Sequence, residues 1–284
     1  MTVPGTVGVL GGGRMGAGIA HAFLLAGARV RLVERDPQAA DAARERVLAS
    51  IAASVRRGDL SDADPVTASL AVSTELADFS AAGLVVEAVP EDRELKAGAL
   101  ARIEEVVGAD AVLATNTSSI SIDALAATLS RPDRFAGLHF FNPVPASKLV
   151  EIVVGEHTGQ DVVTSAREWV STLRKTPVVV RDSPGFASSR LGVMLALEAI
   201  RMLEENVADA ADIDAAMELG YRHPMGPLRT TDVVGLDVRL GIAEELAREL
   251  GPRFEPPALL RRMVAEGKLG RKSGEGFYVW NEER

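Results

Sequence analysis

The chain of 284 residues carries a formal net charge of −9, and 47% of its residues are hydrophobic. Its length predicts about two domains, and its acidic balance disfavours nucleic acid as a partner. It contains no cysteine, which excludes disulfides and thiolate chemistry, and its 4 histidines are too scattered to predict a metal site. The dispersed apolar residues predict no membrane span, and the N-terminus has no secretory pattern. We therefore expect a cytoplasmic protein with no membrane partner.

The first predicted elements are a buried strand over residues 7–10 and a helix over residues 14–26, joined by a glycine-rich segment. This segment matches GxGxxG in the strand-to-helix context that a dinucleotide site requires. Gly11 would form the tight turn, Gly13 would let a pyrophosphate approach, and Gly16 would let the helix pack on the strand. The segment comprises Gly11, Gly12, Gly13, Arg14, Met15 and Gly16.

The second strand, over residues 30–33, ends at Glu34, which follows Gly16 by 18 residues. A carboxylate at this position can accept both hydroxyls of an adenosine ribose and would repel a 2′-phosphate. The pattern therefore predicts NAD as the cofactor. Arg35 leaves NADP open as an alternative, because an arginine here can bind that phosphate.

Residues 37–57 predict a long helix that ends at Gly58 and exceeds what a crossover needs. Four short apolar stretches then alternate with helical ones, reading SLAVST, GLVVEAV, AVLATN and RFAGLHFF. This alternation is typical of a parallel doubly wound sheet. KLVEIVVG and TPVVVRD predict two further strands around a helix over residues 161–174.

The segment SPGF interrupts this pattern, and residues from 187 onward show helical spacing of apolar residues. We therefore predict an α/β fold with a Rossmann-type doubly wound sheet in residues 1–182, followed by an all-α C-terminal dimerisation domain in residues 183–284. The first helix of the second domain is apolar on more than one face, which favours a homodimer over packing within one subunit. Its apolar residues are Leu191, Met194, Leu195, Leu197, Ile200 and Leu203.

His139 is the candidate general base, because it lies at the carboxyl end of a late strand. This is the edge of the sheet where open α/β proteins bind their ligands. Glu151 lies among apolar residues and needs a partner there. If their strands are neighbours, Glu151 can orient the imidazole of His139 and stabilise its charged form. The segment ATNTSS brings Ser118 and Ser119 to the same edge, where a hydroxyl could bond a substrate oxygen. Alternatively, Ser119 caps the following helix.

Motifs in collinear order over nearly the whole chain resemble the L-3-hydroxyacyl-CoA dehydrogenases, especially bacterial 3-hydroxybutyryl-CoA dehydrogenases. They read GGGRMGAGIA, VVEAVPEDRELK, TNTSSISI, RFAGLHFFNPVP, KLVEIV, SPGF, HPMGPLRTTDVVGLD and GRKSGEGFY. The resemblance implies an NAD-binding Rossmann domain, a helical domain that forms a homodimer, and an acyl-CoA substrate.

The resemblance also implies residue roles. His139 would be the acid/base, Glu151 its orienting partner, and Ser118 would bond the 3-oxygen beside the nicotinamide. The positions that match NAD contacts are Glu34, Glu91, Lys96, Asn142 and Lys272. Without the resemblance, Lys96 and Lys272 are typical solvated surface lysines.

Ser50 and Arg57, on the long helix, match coenzyme A contacts. Arg57 can alternatively complement the dipole of its helix end. Ser189 stands where the family usually has an asparagine that helps hold the acyl carbonyl region. A hydroxyl is shorter than that amide and has fewer donors, so the substrate could differ from a plain short-chain acyl-CoA.

With the residues above, the resemblance implies reversible NAD-dependent oxidation of an L-3-hydroxyacyl-CoA to the 3-ketoacyl-CoA, and we expect the acyl chain to be short, as in 3-hydroxybutyryl-CoA. One alternative is a dehydrogenase of a free 3-hydroxy acid or sugar acid, which would not need Arg57. The other is a non-catalytic NAD-binding paralogue, which the presence of His139, Glu151 and Ser118 disfavours.

Overall fold

One eight-stranded sheet organises the first part of the computed structural model, which describes residues 3–280. Its strands lie in the order β3-β2-β1-β4-β5-β6-β7-β8. They are β1 (Thr6–Leu10), β2 (Arg29–Val33), β3 (Leu70–Ser73), β4 (Leu84–Glu87), β5 (Val112–Thr115), β6 (Phe135–Phe140), β7 (Leu149–Val154) and β8 (Thr176–Arg181).

The sheet is parallel from β3 to β6, but β7 runs antiparallel to β6. The connection between β6 and β7 covers residues 141–148, which is too short for the crossover that a parallel pair requires. β8 is again parallel to β7. The doubly wound α/β prediction is confirmed, with this one reversal, which the alternation of strands and helices did not reveal.

Six α-helices accompany this sheet within the described part of the chain. They are α1 (Arg14–Leu25), α2 (Pro37–Arg57), α3 (Asp64–Ala68), α4 (Arg93–Val106), α5 (Ile122–Ala126) and α6 (Gln160–Thr172). The strands β1, β4 and β5 are buried along their full length, as expected where both faces of a sheet are covered.

Local signals explain where these helices begin and end. The side chain of Asp36 caps α2 by accepting a hydrogen bond from the N–H of Ala39 at 2.7 Å, and Gly58 ends α2 with φ of 80°. For α5 the alternative that Ser119 is the cap is wrong. Ser121 caps it, because its hydroxyl accepts a hydrogen bond from the N–H of Ala124 at 3.1 Å.

The chain divides into two compact units, Met1–Ser183 and Pro184–Arg284. The described part of the second unit is mainly helical, with α7 (Ser188–Glu204), α8 (Ala210–Tyr221), α9 (Pro227–Val234), α10 (Leu236–Leu250) and α11 (Ala258–Ala265). Its C-terminal segment departs from the predicted α-helical pattern, because it has one 3-10 turn at Arg271–Ser273 and isolated β-bridges from Gly270 to Glu275 and from Glu275 to Val279. None of the helices in residues 3–280 is long and apolar enough to cross a membrane.

Helix α7 buries one face in the core of this unit, through Val193, Leu197 and Ile200. Leu191, on the same helix, is 71% exposed. The apolar surface of α7 is therefore only partly covered by its own unit.

A substitution at Gly16 tests how tightly the start of α1 packs against the backbone of Gly11. A Cβ added at Gly16 would overlap the carbonyl oxygen of Gly11, whereas one added at Gly13 meets nothing within 4 Å. We expect Gly16→Ala to lower the free energy of unfolding by about 3 kcal/mol, because backbone cannot move aside cheaply. Gly13→Ala is the matched control and should leave stability nearly unchanged in chemical denaturation. Equal stability of the two variants would contradict this packing.

Candidate active site

The glycine segment leaves the beginning of α1 open to a ligand. Gly11 has φ of +89°, which makes the turn that leads from β1 to α1. Gly13 is the N-cap of α1, and since glycine has no side chain, no side-chain oxygen caps the first N–H groups of the helix there. Because no heavy atom lies within 4 Å of a Cβ built at Gly13, a phosphate can approach the first turn of the helix closely.

Gly12 has a role that the motif did not predict. Its N–H donates to Glu34 Oε1 at 2.6 Å, and its carbonyl oxygen accepts from Arg46 Nη1 at 3.2 Å. A Cβ at Gly12 would overlap the side chain of Ala43 on α2. Gly12 therefore allows the close packing on α2. Its backbone N–H and carbonyl oxygen both form hydrogen bonds with side chains.

A cavity of about 970 Å³ lies in front of this segment. Its lining comes from the glycine segment, the end of β2, helix α2 and the loop after β4. The predicted cofactor residues among them are Gly11, Gly13, Arg14, Met15 and Glu34. The size, the open helix start and the carboxylate at the end of β2 fit a dinucleotide.

Glu34 and Arg35 both line this cavity. The carboxylate of Glu34 is held by backbone donors, since Oε1 accepts from the N–H of Gly12 and Oε2 from the N–H of Arg35 at 3.0 Å. The guanidinium of Arg35 pairs with Asp36 at 3.0 Å. The carboxylate is thus fixed by the backbone, while the arginine is held by an exposed pair that is worth little energetically.

Glu91 ties the loop after β4 to the loop after β5. Its Oε1 accepts from Thr117 Oγ1 at 2.6 Å, from the N–H of Ser118 at 2.8 Å and from Ser119 Oγ at 3.1 Å. Burial raises the pKa of Glu91, but the charge of Lys96 and these hydrogen bonds lower it more, so the net shift is downward. The carboxylate therefore stays ionised. It holds in place the loop after β5, residues 116–121, which we call the serine loop.

Lys96 is buried, so the alternative that it is a solvated surface lysine is wrong. Its Nζ lies 2.9 Å from Glu87 Oε1, 3.1 Å from the carbonyl oxygen of Val89 and 3.3 Å from Glu91 Oε2. Glu87 also accepts from Thr115 Oγ1 at 2.7 Å. These contacts direct Lys96 toward protein oxygens, where it positions Glu91.

Sequence reasoning missed Glu87 and Thr115. A carboxylate that ends an otherwise apolar strand, as Glu87 ends β4, is the signal that could have found this network.

His139 and Glu151 face each other across the antiparallel pair of β6 and β7. His139 Nδ1 lies 2.8 Å from Glu151 Oε2, and the two residues are only 6% and 1% exposed. The condition set for this pair, that their strands be neighbours, is met. The ring of His139 also packs against Phe141, with 4.4 Å between ring centroids.

The serine loop and the end of β6 meet at one sheet edge. Asn116 Oδ1 accepts a hydrogen bond from the N–H of Phe140 at 2.9 Å, which joins the loop after β5 to the residue after His139. Ser118 lies in this loop, and Asn142 is exposed just beyond β6. The structure therefore brings Ser118, His139 and Asn142 to the carboxyl edge of neighbouring strands.

The predicted coenzyme A residues lie on α2. Arg57 is exposed, and its guanidinium donates to Ser54 Oγ at 3.1 Å and pairs with Asp59 at 2.9 Å. Ser50 donates to the carbonyl oxygen of Arg46 at 2.9 Å, an ordinary contact for a helical serine.

The other histidines have structural or solvent positions. His21 is buried, with Nε2 at 3.0 Å from Ser54 Oγ, and burial together with the charge of Arg57 lowers its pKa. His157 is exposed in a loop, and His223 lies in the turn between α8 and α9.

Two predicted site residues belong to the second unit. Lys272 is about half exposed, and its Nζ pairs with Asp237 Oδ1 at 2.5 Å. Ser189 lies in the first turn of α7 and is half-buried.

The doubly wound sheet and its glycine segment define a dinucleotide-binding Rossmann protein. Residues 6–183 match the model of the 3-hydroxyacyl-CoA dehydrogenase NAD-binding domain, and residues 185–280 match that of the family's C-terminal domain. The chain belongs to the 3-hydroxyacyl-CoA dehydrogenase family.

Individual relatives agree with this assignment. The 3-hydroxybutyryl-CoA dehydrogenase of Mycobacterium tuberculosis is 43% identical over 279 residues, covering 96% of this chain and 98% of that protein. That of Clostridioides difficile is 37% identical over 277 residues, covering 96% and 99%. The crystal structure of (S)-3-hydroxybutyryl-CoA dehydrogenase from Ralstonia eutropha is 39% identical with a TM-score of 0.94, covering 99% of this chain and 100% of that one.

Family membership confirms the predicted enzyme class and cofactor. The protein is an NAD-dependent 3-hydroxyacyl-CoA dehydrogenase, and its family implies an acyl-CoA substrate.

Glu34 provides the test of cofactor choice. We expect Glu34→Ala to raise the Kd for NADH by roughly 10- to 100-fold, the loss expected for hydrogen bonds to a charged group, and to reduce the discrimination against NADPH. Fluorescence titration with both cofactors measures these affinities. Glu45→Ala, an exposed position on α2 outside the cavity lining, is the control. If the wild-type enzyme uses NADPH as well as NADH at equal low concentrations, Arg35 governs the site instead.

Proposed function

We propose that the enzyme oxidises short-chain L-3-hydroxyacyl-CoA thioesters reversibly to 3-ketoacyl-CoA, with His139 as the acid/base. The observation that carries this proposal is the buried contact of 2.8 Å between His139 Nδ1 and Glu151 Oε2 at the carboxyl edge of the sheet. A carboxylate in this position holds the imidazole in one orientation and stabilises its protonated form. The short acyl chain is suggested by the names of the relatives.

The glycine segment and Glu34 would hold NAD in the cavity, with the pyrophosphate at the start of α1 and the adenosine ribose at Glu34. We assign further contacts to Glu91, Asn142 and Lys272, and an indirect role to Lys96 through Glu91. When bound, NAD supplies the acceptor for the hydride that leaves C3 of the substrate.

His139 would take the proton of the 3-hydroxyl group as the alcohol is oxidised. Because Nδ1 faces Glu151, the proton would be exchanged through Nε2. In the reverse reaction, the same nitrogen would return the proton to the oxygen. Ser118 would orient this oxygen through its hydroxyl, and Glu91 holds the backbone N–H of Ser118 at 2.8 Å.

We assign the coenzyme A contacts to Ser50 and Arg57 and an acyl contact to Ser189. The exposed guanidinium of Arg57 is suited to a phosphate, because it can exchange its weak surface pair with Asp59 for a charge-assisted bond.

We further assign NAD binding to residues 1–182 and substrate binding and dimerisation to residues 183–284. A homodimer would bury large apolar side chains that the second unit leaves exposed, which lowers the cost of their contact with water. They include Leu191, Val207, Leu219 and Tyr221. A cytoplasmic location agrees with a chain that has no cysteine.

Oxidation of 3-hydroxybutyryl-CoA, followed by the absorbance of NADH, tests the proposed activity. We expect His139→Gln to fold and bind NADH normally while kcat falls by about 10²–10⁴-fold, the usual cost of losing a general base. His157→Gln, an exposed loop position, is the matched control. Faster turnover of free 3-hydroxy acids than of acyl-CoA thioesters would contradict the substrate, and a His139→Gln rate within a few-fold of wild type would remove His139 from the mechanism.

A further inference from the structure

Arg239 is a buried cation in the second unit. It lies on α10, only 9% of the residue is exposed, and its Nε is buried without a hydrogen-bond partner among the described residues. Within residues 3–280 no carboxylate lies within ion-pair distance of its guanidinium. Burial lowers the pKa of Arg239, and no charge among the described residues offsets this effect.

The other buried charged side chains of the described chain have partners, which makes Arg239 an exception. Lys96 contacts Glu87, and Lys175 donates to the carbonyl oxygens of Val144 and Ser147 at 2.6 and 2.5 Å. Buried carboxylates also have partners. Asp214 accepts a hydrogen bond from the N–H of Leu228, and Asp232 accepts one from the N–H of Phe277. Glu151 contacts His139.

An arginine cannot escape this cost by losing its proton, because it stays charged at any pH a protein tolerates. An uncompensated buried charge is strongly unfavourable, and a bound anion would remove much of this cost. A carboxylate is the best match, since it pairs with the planar guanidinium through two parallel hydrogen bonds.

The position of Arg239 indicates which anion reaches it. Its guanidinium packs against Gly192 of α7, where an added Cβ would lie 3.5 Å from Nη1 and 3.9 Å from Nη2. Ser189 precedes Gly192 by three residues, so both lie on the same face of α7. Ser189 is the residue to which the proposed function assigns the acyl group.

We infer that Arg239 binds a carboxylate at the far end of the acyl chain, so that the preferred substrates are 3-hydroxyacyl-CoA thioesters of dicarboxylic acids. This inference rests on the proposed function, because it requires that the acyl group lie beside Ser189. A site built around a buried polar group rejects analogues that lack its partner far more strongly than it rejects a changed chain length.

The test compares acyl-CoA pairs of equal chain length that lack the 3-hydroxyl group and so report binding alone. Glutaryl-, adipyl- and suberyl-CoA are set against pentanoyl-, hexanoyl- and octanoyl-CoA by calorimetry with the NADH-loaded enzyme. We expect wild type to bind at least one dicarboxylic acyl-CoA about 100-fold more tightly than the monocarboxylic acyl-CoA of equal length, and Arg239→Met to lose this preference. Arg239→Lys should keep part of it. Arg248→Met, an exposed arginine on the same helix, should behave as wild type.

Thermal unfolding distinguishes ligand binding from a structural role. Replacing an uncompensated buried charge with an apolar side chain of similar volume should leave the Tm of Arg239→Met unchanged or raised. A Tm lowered by several degrees would show that Arg239 is paired structurally, for example with a second copy of the chain, and would overturn the inference. Equal affinity of wild type for both members of every pair would also overturn it, while oxidation of 3-hydroxybutyryl-CoA would leave the proposed function intact. Failure to bind any acyl-CoA would overturn both.

Discussion

The antiparallel pairing of β6 with β7 is the constraint on which the proposed chemistry depends. It sets His139 opposite Glu151, so that two polar groups that would each be costly to bury alone satisfy one another. The side chains of a strand alternate between faces, and a register shift of one residue would turn Glu151 away from the imidazole. The ladder of backbone hydrogen bonds therefore fixes the geometry of the pair.

A second polar network holds the neighbouring part of the sheet edge. Glu87 ends β4, Lys96 joins it to Glu91, and Glu91 holds the N–H and hydroxyl groups of the serine loop after β5. Since this network is buried at Lys96 and Glu87, its members are fully engaged and cannot easily rearrange. The loop that carries Ser118 is thereby positioned before any ligand arrives, which is the preorganisation that catalysis by positioning requires.

Local sequence signals predicted much of this arrangement. The helical pattern over residues 37–57 and Gly58 predicted the bounds of α2, and the glycine segment with Glu34 predicted the cavity of the first unit. The reversal of β7, the capping role of Ser121 and the burial of Lys96 were not predicted. Each of these depends on which distant residues become neighbours, and no periodicity in the chain records that. Arg239 is a similar case, because only the folded unit reveals that its buried Nε has no hydrogen-bond partner among residues 3–280.

The claim that Glu151 acts through His139 is tested most directly by a double-mutant cycle. Single-turnover rates of oxidation are measured for wild type, His139→Gln, Glu151→Gln and the double variant. Residues that act as one unit have strongly non-additive effects, so Glu151→Gln should slow the wild-type enzyme, while the double variant should be scarcely slower than His139→Gln alone. Losses that simply multiply would mean that Glu151 acts independently of His139 and would contradict the account.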